Sequence, residues 1–285
     1  MTRKSNAEKR DINIGLGILC LIFTACFCTR ACEAIADQAI SRKKNGIVTM
    51  TIVYDNNSFR PDLRAAWGFA CFIEGLEKTI LFDTGGDGRV LLSNMEKLGI
   101  SPEKIDFIFL SHVHGDHTGG LGAVLERNHN VTVFLPASFP ETMKAAPRSM
   151  KAKVIEVKNP MSVCQDAFST GEMGTLIKEQ ALYVRVRGGM GVITGCAHPG
   201  IVKIVSKASE LSEAVPCLVT GGFHMGGWSK KRIESVISDF KKLGVMKVAP
   251  CHCSGDRSRK MFSEAFRSQF IKAGVGSVVT LEPAP

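Results

Sequence analysis

No C-x-x-C pair occurs in the 285 residues, although the chain has ten cysteines. That gap removes the usual zinc-finger spacing. Four of the ten (Cys20, Cys26, Cys28, Cys32) fall in or beside an apolar N-terminal run. The other six (Cys71, Cys164, Cys196, Cys217, Cys251, Cys253) are scattered and read as small buried hydrophobes, with a disulfide open if the body is exported. No Lys/Arg-rich insertion is visible either. The formal charge is +9, but residues 1–45 hold eight Lys/Arg and four Asp/Glu, leaving 28 basic against 23 acidic residues beyond them. A mildly basic body permits anionic substrates and gives no ground for expecting nucleic acid as a partner. No short internal repeat is present, which sets solenoid architectures aside. With 45% apolar residues the chain can bury a sizeable core.

Charge is missing altogether from Ile12 to Cys28, and the run has no polar face of the kind a core helix needs. Arg3, Lys4, Lys9 and Arg10 precede it, the order of an export signal. Phe23-Thr24-Ala25-Cys26 resembles a bacterial lipobox in which Cys26 is lipidated. We therefore expect a signal or anchor over 1–32, a polar linker over 33–46 and one folded domain over 47–285. The localisation expected is the membrane or its extracytoplasmic side, with the membrane as a partner through the N-terminal segment.

The densest chemistry lies in Ser111 to Gly120, S-H-V-H-G-D-H-T-G-G. His112, His114, Asp116 and His117 place four imidazole or carboxylate donors within six residues, ligand types suited to zinc and its first-row neighbours. Left without a metal, such a cluster strands polar groups that need partners. The preceding Ile105–Leu110 reads as a buried parallel strand, and strand carboxyl ends are where open α/β sheets bind ligands.

Elsewhere, alternation or apolar runs predict strands over 47–54, 67–74, 79–82, 131–135, 154–157 and 181–186. Asp55–Arg64 is a polar loop of the kind that can lie over a site. Asp83 ends a strand, and on residue type alone it is equally a turn former. Helical spacing covers Gly88–Leu98, Gly120–Arg127 and Ser229–Leu243, where Ile233, Val236, Ile237 and Phe240 form one apolar stripe. Pro136–Ser149 reads as irregular. In the second half, three apolar strands each lead to a histidine and then a helix: His198, His224 and His252. Of seven histidines, only His129 stands apart from such junctions.

These stretches resemble the metallo-β-lactamase-fold hydrolases, whose hallmark is H-x-H-x-D-H. The resemblance runs over most of residues 47–282. It is carried by A-A-W-G-F-A at 65–70, L-F-D-T-G at 81–85, L-S-H-V-H-G-D-H-T-G-G-L at 110–121, T-G-C-A-H-P-G-I at 194–201, G-G-F-H at 221–224 and P-C-H-C-S-G at 250–255. The sequence is most similar to the branch of dihydropterin-ribofuranosylaminobenzene phosphate synthase. The family implies an α/β fold with four αββα layers. It also implies two divalent metals, zinc first with manganese or iron as alternatives, that share a water or hydroxide. His112, His114 and His198 would hold one; Asp116, His117 and His252 the other. Asp83 would support the ligands from behind, and Asp116 would also orient the nucleophile or take its proton.

In one respect the chain departs from the wider superfamily. Many dinuclear members have a metal-bridging aspartate between the positions of His198 and His252. Here the acidic residues of that interval, Glu210, Glu213, Glu234 and Asp239, lie in helical or near-helical stretches. The strand-end position is held by His224, expected as a substrate contact or general acid, with metal ligation as the other possibility. The function implied is metal-dependent hydrolysis of a small, anionic ester or phosphate. A phosphodiesterase or nuclease, a dihydropterin-related synthase and a non-catalytic metal-holding protein are the alternatives.

Overall fold

The computed structural model describes residues 47–282. The apolar run, Cys26 and the linker to residue 46 lie outside them. Among the described residues, no helix is long and apolar enough to cross a membrane.

Thirteen strands among the described residues form two sheets. The first takes β1 (Val48–Asp55), β2 (Phe69–Glu74), β3 (Ile80–Phe82), β4 (Phe107–Phe109), β5 (Thr132–Pro136), β6 (Lys153–Val157) and, from the far end of the chain, β13 (Val278–Leu281), in the order β13-β1-β2-β3-β4-β5-β6. The second takes β7 (Met161–Cys164), β8 (Ala167–Ser169), β9 (Leu182–Val186), β10 (Gly189–Thr194), β11 (Pro216–Gly222) and β12 (Lys247–Cys251), in the order β12-β11-β10-β9-β8-β7. Strands β3 to β6 run parallel, as do β10 to β12.

Alternation along the strands divides the apolar side chains between two faces. Phe109, Ile193, Leu218 and Ala249 meet in the core between the sheets. Their sequence neighbours face the other way: Ile108 packs with Val90, Leu91 and Val124 of the helices on one side. Val192, Val219 and Val248 pack with Ile201, Ile233 and Phe262 on the opposite side. The result is the expected helix–sheet–sheet–helix sandwich. The stripe of Ile233, Val236, Ile237 and Phe240 is buried as its spacing requires, and Ser229 caps that helix by accepting from Arg232 N.

Three parts of the chain differ from expectation. Pro136–Ser149 is not irregular: Glu141–Ser149 forms a helix that contains Pro147. Pro140 stands at its cap, and Pro147 lies in the last turn, where it cannot donate to the carbonyl of Met143 and the helix ends two residues later. The hairpin β7–β8 carries little apolar alternation, and β13 pairs with β1, more than 220 residues earlier in the chain. Pairing over that distance leaves no local signal.

The sheets bring the motif loops together at one edge. Phe82 and Phe109 pair across β3 and β4 and stack with ring centroids 5.4 Å apart, fixing the strand ends that release Asp83 and the Ser111–Gly120 stretch. The parallel strands β10, β11 and β12 release His198, His224 and His252 toward the same edge.

Candidate metal centre

Asp83 is fully buried and lies behind the histidines. Its Oδ1 accepts from Ser111 N at 2.7 Å, and its Oδ2 faces both Ser111 Oγ at 2.7 Å and His117 Nδ1 at 2.7 Å. A carboxylate only accepts, so both partners donate: His117 carries its proton on Nδ1 and Ser111 directs its hydroxyl to Asp83. Ser111 Oγ then receives Nδ1–H of His112, 2.9 Å away. One carboxylate thereby sets the tautomer of His117 directly and of His112 through a hydroxyl, leaving both Nε2 lone pairs turned inward.

His252 is fixed in the same manner from another strand. Its Nδ1 lies 2.8 Å from Asn56 Oδ1, while Asn56 Nδ2 donates to the His252 carbonyl. The second of these bonds orients the amide, so His252 is the donor in the first. Its own backbone N–H is held by Asp55 Oδ2 at 3.0 Å. Asp55 and Asn56 belong to the end of β1 and the polar loop after it.

The consequence is an electrostatic problem that a cation solves. His117 Nε2 and His252 Nε2 lie 3.2 Å apart, and Asp116 Oδ2 is 3.6 and 3.4 Å from them. With both Nδ1 protons directed outward, the neutral rings and the carboxylate turn acceptors toward one another, so a proton or a cation must stand between them. In the metal-free chain, burial of His117 disfavours its cation, but Asp83 and Asp116 outweigh that and raise its pKa. Burial likewise favours a neutral Asp116, yet bonding to His252 and the charge of His117 hold its carboxyl at about 2. The second knot is similar: His112 Nε2 faces His114 Nδ1 at 3.1 Å, and the buried Nε2 of His198 has no hydrogen-bond partner. Within each set, His112–His114–His198 and Asp116–His117–His252, the donor atoms all lie within 4.8 Å of one another. Both fit a divalent metal ion by donor type.

All six expected ligands are thus brought together. His224 also reaches the site, on its exposed side, with its ring 4.4 Å from that of His198. His129 is exposed and elsewhere. Backbone strain concentrates here: Asp83, Ala197, His224 and His252 have φ of 54, 59, 51 and 47°, a region costly for side chains with a Cβ.

Several participants escaped the sequence reading. Glu179, fully buried, accepts from the backbone N–H of Cys196, Ala197 and His198 at 3.0, 2.9 and 2.8 Å, and so shapes the turn that presents His198. Burial pushes its carboxyl up and those amides pull the other way, the first effect prevailing. A lone carboxylate abutting the apolar strand A-L-Y-V was the available sign. Trp67 is 62% exposed, with its ring 5.0 Å from His252. Cys196 Sγ lies 3.3 Å from His117 Nε2, and Cys253 sits beside it.

Comparison with known proteins agrees with this geometry. The family model described as the metallo-beta-lactamase superfamily matches residues 68–201. The chain is 29% identical over 286 aligned positions to 7,8-dihydropterin-6-methyl-4-(beta-D-ribofuranosyl)-aminobenzene-5'-phosphate synthase of Methanocaldococcus jannaschii, covering 83% of this chain and 97% of the relative. Ribonuclease Z of Nanoarchaeum equitans is 37% identical over 79 residues, 26% of this chain and 24% of its own. Among solved structures, Tm1679, described as a metal-dependent hydrolase of the beta-lactamase superfamily, superposes with a TM-score of 0.70 at 25% identity, covering 82% of this chain and 99% of that one. Motif, two-sheet architecture and these similarities all liken the chain to the metallo-beta-lactamase superfamily, whose family model matches it over residues 68–201.

Proposed function

We propose that the chain is a dinuclear metal-dependent hydrolase of a small, anionic ester or phosphate compound, with zinc as the first candidate metal and manganese or iron as alternatives. One observation carries the reading: two sets of three metal-ligating side chains, the donor atoms of each within 4.8 Å of one another, meet where the strands end. Bound metals would lower the pKa of a coordinated water from about 15.7 toward about 7, supplying a nucleophile at neutral pH. The remaining roles belong to the chain. Asp116, partly accessible beside His252, orients the attacking water and accepts its proton. His224, at the exposed margin, contacts the substrate and can give a proton to the leaving group. Asp83, Ser111, Asn56 and Glu179 hold the ligands in place without touching substrate.

A second reading has specific support. The archaeal synthase matches over nearly its whole length, and its name joins a dihydropterin to a ribofuranosyl phosphate. The exposed ring of Trp67 beside His252 offers a face on which a flat heterocycle can stack. Group transfer to such a compound and hydrolysis of a phosphate share the same need for anion stabilisation.

For location, we propose that residues 1–32 target the protein to the membrane, with the domain on the extracytoplasmic side and a small molecule rather than nucleic acid as its substrate.

The test uses the purified full-length chain, stripped of metal and reloaded, against phosphomonoesters, phosphodiesters, lactones, lactams and single-stranded RNA. Turnover of a small phosphate or ester that vanishes on chelation and returns with zinc is expected. Turnover indifferent to chelation, or restricted to RNA, would refute the proposal.

A further inference from the structure

The superfamily's bridging aspartate has no counterpart at a strand end here, yet the centre is not without a group in the middle. Cys196 Sγ is that group. It falls within 4.8 Å of donor atoms in three separate combinations: with His112 and His117, with His198 and His224, and with His252 and Cys253. It therefore neighbours two members of the first donor set, His112 and His198, and two of the second, His117 and His252. Cys196 is 4% exposed, and His112 and His117 are fully buried.

Its position is built rather than incidental. The Cys196 N–H is fixed by Glu179 Oε1 at 3.0 Å. Gly195 lets the turn press against Ser111: a Cβ there would lie 2.1 Å from Ser111 Oγ. Gly222 lets β11 pass close behind, where a Cβ would lie 3.3 Å from Cys196 Cα. Ala197, next in the chain, takes the left-handed φ of 59° that turns His198 back toward the same point.

Charge argues the same way. Across the two donor sets, Asp116 is the only anionic donor, and five of the six ligands are neutral imidazoles. Asp83 and Glu179 place negative charge behind the ligands, and two divalent cations in so buried a place call for more in direct contact. A sulfur that releases its proton to solvent as the cations enter supplies one unit of it.

We infer that Cys196 is a metal ligand of this centre, its thiolate lying between the two metal positions in place of the missing carboxylate. The inference rests on the dinuclear reading above. A soft sulfur donor shifts the preference of the site toward zinc and cobalt and away from manganese and magnesium.

Cobalt(II) reports both the site and the sulfur. The full-length chain, stripped with a chelator under reducing conditions, is titrated with cobalt and followed by absorption. Visible d–d bands register cobalt in the centre, and a strong near-ultraviolet band registers sulfur-to-cobalt charge transfer. We expect both in the unaltered chain, with the near-ultraviolet band lost in Cys196→Ser and kept in Cys253→Ser. Circular dichroism melting of both variants checks that each is folded. Visible bands without any charge-transfer band in the unaltered chain would overturn the assignment and leave the metal centre standing. Loss of the band in Cys253→Ser with retention in Cys196→Ser would also overturn it. Absence of every cobalt band would remove the dinuclear reading itself and the inference with it.

Discussion

At the residue scale, most of the centre's order passes through Asp83. It has no freedom to choose its partners: two side-chain donors and one amide converge on its two oxygens. Asp83→Asn keeps the shape but offers Nδ2 where an acceptor is needed, so His117 and Ser111 lose their direction. We expect metal affinity to fall about 10- to 100-fold, measured by competition with a chromophoric chelator. Asp116→Ala should behave differently. Its carboxylate supports no core packing, so the metal-free variant should melt within a few degrees of the parent while second-site metal and turnover drop together. Full turnover with both metals retained would refute the role given to Asp116. For His224→Ala we expect unchanged metal content with a raised KM or lowered kcat; loss of one metal equivalent would make it a ligand instead. In the metal-free chain, burial and the nearby His224 and His114 rings hold the His198 pKa at about 4. Its imidazole should therefore stay neutral well below the ordinary histidine range, which histidine NMR titration can follow.

At the scale of elements, the centre depends on loops that approach one another more closely than side chains allow. A Cβ on Gly222 would sit 2.3 Å from the Gly195 carbonyl and 2.7 Å from Cys253 Sγ. Gly222→Ala must push β11 away from the turn after β10, and overpacking of this kind costs about 1–3 kcal/mol. A lowered melting temperature together with weakened metal binding is the expected outcome. These same elements divide what the sequence disclosed from what it did not. The strand–histidine–helix rhythm was visible because each strand is buried on both faces and reads as a short apolar run. The candidate ligands were visible because they crowd into H-x-H-x-D-H and into the strand–histidine–helix junctions. Asp83 remained ambiguous between turn former and buried support, since only the fold reveals that Ser111 and His117 point at it. Glu179 and Asn56 were hidden for the same reason. Glu179 is 17 to 19 residues from the amides it accepts, and Asn56 is 196 residues from His252. The Glu141–Ser149 helix was obscured by its prolines, whose effect depends on where in a helix they fall.

At the scale of the whole molecule, we propose that residues 1–32 direct a two-sheet metal domain to the membrane. Removing residues 1–32 should move the protein from the membrane fraction to the soluble one; equal partitioning of both forms would count against the targeting proposal. The central claim, however, is that the sheet edge gathers two cations. Elemental analysis of the full-length protein, purified without chelators and compared with Asp116→Ala, tests it most directly. The account predicts two transition-metal equivalents per chain, zinc foremost, falling toward one in the variant. A chain that carries no metal, and takes up none when zinc is supplied, would contradict it.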